Sequence, residues 1–98
     1  MIEHIVLFKW NEDAAPEAIQ TAMDGLKALR HKIPGIVDLT CGENFSDRNK
    51  GFQTGLVVRF QDRKALEAYI PHPLHQQVVQ TLIAPIRVDV IAVDYEID

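Results

Sequence analysis

Ninety-eight residues leave room for one domain, spanning 1–98, with one modest core. Hydrophobic residues make up 47% and charged residues 24%, an ordinary balance that excludes intrinsic disorder, collagen and coiled coil. Ten Lys+Arg against fourteen Asp+Glu give a net charge of −4 without a basic patch, so nucleic acid is not an expected partner, and the longest apolar run, Ile5 to Phe8, is far short of the ~20 residues that span a bilayer, so neither is a membrane.

Ile2–Trp10 is β-branched and aromatic and predicts a strand. It follows Met1 directly, so no signal peptide is visible. His4, Val6, Phe8 and Trp10 alternate on one face; Glu3, Ile5, Leu7 and Lys9 take the other. Both faces are apolar in the middle, the pattern of a strand covered on both sides. Pro16 and Glu17 suit a helix start. Ile19, Ala22, Met23, Leu26 and Ile33 recur at three- and four-residue steps and predict an amphipathic helix over about 14–31, stopped by Pro34-Gly35.

Ile36–Phe45 is the second strand, with Val37, Leu39, Cys41 and Phe45 expected on one face. Cys41, the only cysteine, has no disulfide partner in the chain and no base beside it in sequence. It is expected to be buried and inert, and the cytoplasm is the expected location. Ser46–Gly51 is a polar turn, and Phe52–Phe60 a third strand with Phe52, Thr54, Leu56, Val58 and Phe60 together. The short connection predicts an antiparallel hairpin. Asp62 is an expected N-cap for a short helix through Ile70. Pro73 starts another through about Leu82, and Val88–Ile97 is the last strand.

Strand, helix, strand, strand, helix, strand is the ferredoxin-like α+β arrangement: a four-stranded antiparallel sheet with helices on one face. The helices cover one side only. A second copy is the simplest cover for the other, which predicts a homodimer.

Several residues could carry chemistry. Tyr69, His72 and His75 form the densest polar-aromatic cluster, in Y-I-P-H-P-L-H. An imidazole can move a proton, and a phenol can donate to a carbonyl or enolate oxygen. The same residues can instead finish the core and cap the helix junction at Pro73. His4 reads either as a pocket group or as a core histidine tied to a backbone or Tyr partner. Asp89, Asp94, Glu96 and Asp98 crowd the last strand, those near its end expected in solvent. The His-x-x-His spacing lacks a third ligand, and no metal or cofactor is expected. The expected ligand site lies between sheet and helices. His4 and Thr54 join Tyr69 and His75 as polar points there, among Val6, Phe8, Met23, Leu26, Leu56 and Val58.

H-I-V-L-F-K-W at 4–10, I-P-G-I at 33–36, G-x-N at 42–44, K-G-F at 50–52, L-x-x-Y-x-x-H-P-x-H at 66–75 and D-Y at 94–95 run end to end in order. Together they closely resemble the stress-responsive A/B barrel (Dabb) family. The resemblance implies a dimeric α+β barrel. Most members have no assigned reaction. One plant member, olivetolic acid cyclase, closes a polyketide chain by aldol condensation without a cofactor. Its catalytic tyrosine and histidine correspond to Tyr69 and His75, and a first-strand pocket histidine to His4. A further pocket histidine is replaced here by Thr54. The resemblance therefore implies a small apolar, aromatic or polyketide-like ligand. It implies either cofactor-free acid/base chemistry on Tyr69 and His75 or a non-catalytic stress-associated dimer.

Overall fold

The computed structural model describes residues 1–97. The element order is β1 (Ile2–Trp10), α1 (Pro16–Ala28), a 3₁₀ turn (Leu29–His31), β2 (Ile36–Glu43), β3 (Thr54–Phe60), α2 (Arg63–Tyr69), α3 (Pro73–Val78), a π-helical turn (Val79–Ile83) and β4 (Arg87–Glu96). The sheet order is β2-β3-β1-β4, with every neighbouring pair antiparallel. This is the expected ferredoxin-like sheet.

The helices lie on the face that carries Val6, Phe8, Leu56, Val58 and Phe60, all buried. α1 adds Ala22, Met23 and Leu26 to that core, and Leu29 and Ile33 continue the stripe beyond it. Pro16 opens α1, whose preceding residue Ala15 offers no side-chain cap. The helix therefore begins two residues later than the periodicity suggests. Gly35 turns the chain into β2 at φ +93°, and a Cβ there would stand 2.5 Å from that of Ala65. The turn needs both the left-handed conformation and the missing side chain. Asp62 caps α2 as expected, accepting from the Ala65 amide at 2.9 Å.

Two expectations about faces need correction. β2 and β3 slip register between Ile36 and Asp38, so Ile36 pairs with Phe60 and Leu39 with Val58. The bulge reverses the alternation. Leu39 and Cys41 do share the helix-side face, but Val37 sits at the bulge and is exposed. Phe45 falls past the end of the strand and is 99% exposed. Phe52 precedes β3; it is buried, but outside the main core cluster that holds Leu56, Val58 and Phe60. Its ring lies 4.7 Å below the Lys9 ammonium, a cation–π contact.

The opposite face of the sheet has no cover within the described residues. Ile91, Val93 and Tyr95 are exposed there, beside the half-buried Ile5 and Leu7. β4 is exposed along its whole length.

Candidate functional site

The structure separates the residues expected to share one pocket into two places. The first is a polar cluster under α2 and α3. Tyr69 ends α2; the chain then bends at Pro71–Pro73, and α3 returns His75 over the phenol ring. Their ring centroids are 4.3 Å apart. His4 reaches the same spot from β1, with its ring 6.1 Å from Tyr69 and from Phe60.

The protons in this cluster are placed by its neighbours. Nδ1 of His75 lies 2.9 Å from the Ile70 carbonyl, which can only accept, so that nitrogen carries the proton. Burial holds His75 below the usual imidazole value, partly offset by that bond, and the charges of His4 and His72 act in the same direction as burial. The neutral ring therefore keeps its lone pair on Nε2. Tyr69 is fully buried, and its hydroxyl has no hydrogen-bond partner among the described residues. Burial pushes the phenol well above its ordinary value, so it remains a donor. His72 stands apart as a cap: its Nδ1 accepts from the Leu74 amide at 3.1 Å.

His4 is held by neither of the partners expected for it. Its Nδ1 donates to the Asp94 carboxylate. Asp94 is exposed, as expected, yet this bond ties it down, and Glu96 is paired to Arg63 at 2.9 Å. Asp98 lies outside the described residues. The antiparallel register of β1 and β4 sets His4 opposite Asp94. Sequence order alone carries that signal only after the two strands are known to be neighbours.

The second place is a cleft of about 420 Å³ between α1 and the far end of the sheet. Trp10, Ile19, Met23 and Thr54 form its walls, with Lys27 and Glu43 at its polar side. Thr54 pairs with Phe8, whereas His4 pairs with Val58. Four residues of strand, about 13 Å, therefore separate Thr54 from the polar cluster. Of the other expected lining residues, Val6, Phe8, Leu26, Leu56 and Val58 are packed in the core between the two places.

Cys41 also borders the cleft. It is half-buried, and burial raises its thiol above the ordinary value against the opposing charge of Lys27. Among the described residues no three His, Cys, Asp or Glu side chains gather into a metal-binding group. No described helix is long and apolar enough to cross a membrane.

Comparison with known proteins places this architecture. The chain is 33% identical over 98 residues to a stress-response A/B barrel domain-containing protein of Arabidopsis thaliana. It matches that relative with its whole length but spans only 37% of it. A dimeric ferredoxin-like protein of unknown function from Thermobifida fusca superposes with a TM-score of 0.85 at 26% identity, over 98% of this chain and 90% of that one. A hydroxynitrile lyase from Passiflora edulis shares the fold, with a TM-score of 0.89 at 16% identity over 99% and 93%. The family model for the stress responsive A/B barrel domain matches residues 2–97. On the strength of that match and the sheet and helices described above, the chain belongs to the stress-responsive A/B barrel domain family.

Proposed function

We propose that this protein works as a homodimer in which each protomer binds a small, largely apolar molecule carrying an oxygen function, in the cleft between α1 and the sheet. The cleft itself carries the reading. Its volume of about 420 Å³ lies in the range of small-molecule sites, and its lining sets Trp10, Ile19 and Met23 against an equal share of polar surface from Gln20, Lys27, Glu43, Gln53 and Thr54. The uncovered apolar face of Ile91, Val93 and Tyr95 supports the dimer, as does the dimeric state described for the Thermobifida protein. A cytoplasmic location belongs to the same reading, in keeping with an unpaired cysteine. Thermal melting against a panel of small phenols and aryl ketones tests it, because anything that binds only the folded state raises its stability. A rise in Tm that Ile19→Trp abolishes, by filling the cleft, is the expected result. No shift with any compound would reject the site.

A second reading is favoured by one observation, the unpartnered Tyr69 hydroxyl beside a neutral His75. In this reading the side chains that bury the Tyr69 hydroxyl move aside as substrate binds, and the cluster performs cofactor-free acid/base chemistry. Nε2 of His75 removes a proton α to a carbonyl, the C–H electron pair forms the enolate, and the Tyr69 hydroxyl donates to the enolate oxygen. Asp94 keeps the His4 ring oriented beside them. Incubation with linear β-keto thioesters, with products read by mass spectrometry, tests it. Turnover reduced at least a hundredfold by both His75→Gln and Tyr69→Phe is expected. Turnover unchanged in either variant, or absent from the parent protein, would reject it.

A further inference from the structure

One wall of the cleft is the Trp10 indole, a side chain held by two contacts, on a residue whose backbone is bonded as well. The Trp10 indole N–H donates to the Thr54 hydroxyl at 2.9 Å, in a buried bond. Its ring stacks on Phe8, with centroids 5.0 Å apart and planes within 6°. Its backbone amide donates to the Gln53 side chain at 3.1 Å. Trp10 and Thr54 both border the cleft, and Phe8, Val6 and His4 follow in turn along the same face of β1. The indole is thus the first of the side chains that part the cleft from the His4–Tyr69–His75 cluster.

We propose that Trp10 is the specificity-determining floor of this cleft, and that its bond to Thr54 sets how long a ligand the protein accepts. The inference rests on the cleft being the ligand site and adds the ligand's shape: a compact, one-ring molecule with its polar end toward Lys27 and Glu43. At about 420 Å³ the space is near the small end of ligand cavities. A longer apolar tail would have to displace a buried, stacked and hydrogen-bonded indole. Replacing Trp10 with Leu removes the floor. Thr54→Val keeps the volume but removes the acceptor and frees the ring to turn.

The test is calorimetric titration of the parent, Trp10→Leu and Thr54→Val proteins with 4-alkylphenols of increasing chain length. Each methylene that enters an apolar site tightens binding about fourfold, the equivalent of about 0.8 kcal/mol. In the parent the gain is expected to stop after the first few methylenes. In Trp10→Leu it is expected to continue for at least two more, making 4-hexylphenol more than tenfold tighter than in the parent. Thr54→Val is expected to shift the limit the same way by a smaller amount, and it decides the matter if Trp10→Leu does not fold. Short phenols should also perturb the fluorescence of Trp10, the chain's only tryptophan. If short phenols bind but the length limit is the same in all three proteins, Trp10 is not the floor and the cleft still stands as a site. If no phenol binds any of them, the cleft reading falls and this inference falls with it.

Discussion

The two faces of the sheet carry similar side chains and meet different fates. On the helix side, alternate residues of β1 and β3 are almost all buried, and the polar ones among them are bonded: His4 to Asp94 and Thr54 to Trp10. On the other side Ile91, Val93 and Tyr95 stand exposed, and Arg59 is paired to Glu3 at 2.9 Å. An apolar face without cover is costly in water, so a sheet with two such faces and one layer of helices asks for a second molecule. Polar groups on the covered face had to be matched within the chain, and among the described residues the Tyr69 hydroxyl, brought under the helices by α2, is the buried side-chain group left without a match.

Four experiments sharpen this contrast, from the largest effect to the smallest. Phe60, fully buried on the helix side, should cost about 3–5 kcal/mol when replaced by Ala, read by chemical denaturation. A loss below ~1 kcal/mol would mean that this face is not the core. Leu7→Asp places a carboxylate on the other face. It should shift the protein from dimer to monomer in sedimentation, a loss of several kcal/mol of association energy. A variant that stays dimeric would move the interface elsewhere.

The third concerns pH. His75 sits below the ordinary imidazole value of 6.5, so the unfolded chain binds more protons than the folded one in the window beneath 6.5. Its contribution to stability is therefore complete above about pH 6.5 and is lost as the pH falls through that window. Denaturation midpoints across this range should fall less steeply in His75→Gln than in the parent. Equal slopes would place His75 in solvent. The smallest effect is expected for Tyr69→Phe, which removes an unbonded hydroxyl and keeps the ring. Stability should change by no more than ~1 kcal/mol, toward a tighter fold. A loss above ~2 kcal/mol would show that the hydroxyl is bonded in solution.

Much of the architecture is legible in local pattern. Two-residue alternation marks β1, three- and four-residue spacing marks α1, and Pro16, Pro71 and Pro73 punctuate the helices where their missing amide protons cost least. The Tyr69–His75 pair is legible too, because two prolines between them force a bend that brings i and i+6 together. The face of Val37 is not legible: one bulged residue inverts the alternation, and a bulge is decided by how β2 seats on β3, not by the composition of β2.

The split of the expected pocket has the same origin. Residue type alone makes His4, Thr54, Tyr69 and His75 equal candidates for one site. Cross-strand register sets Thr54 opposite Phe8 and His4 opposite Val58, and so fixes their separation. It also brings Asp94 to His4 from ninety residues away. The sequence by itself determined which segments form strands and helices, and that one face of the sheet would lack cover, since periodicity and turn residues act over a few neighbours. Only the tertiary structure decided which polar side chains meet and where empty volume remains, because register and packing depend on every element at once.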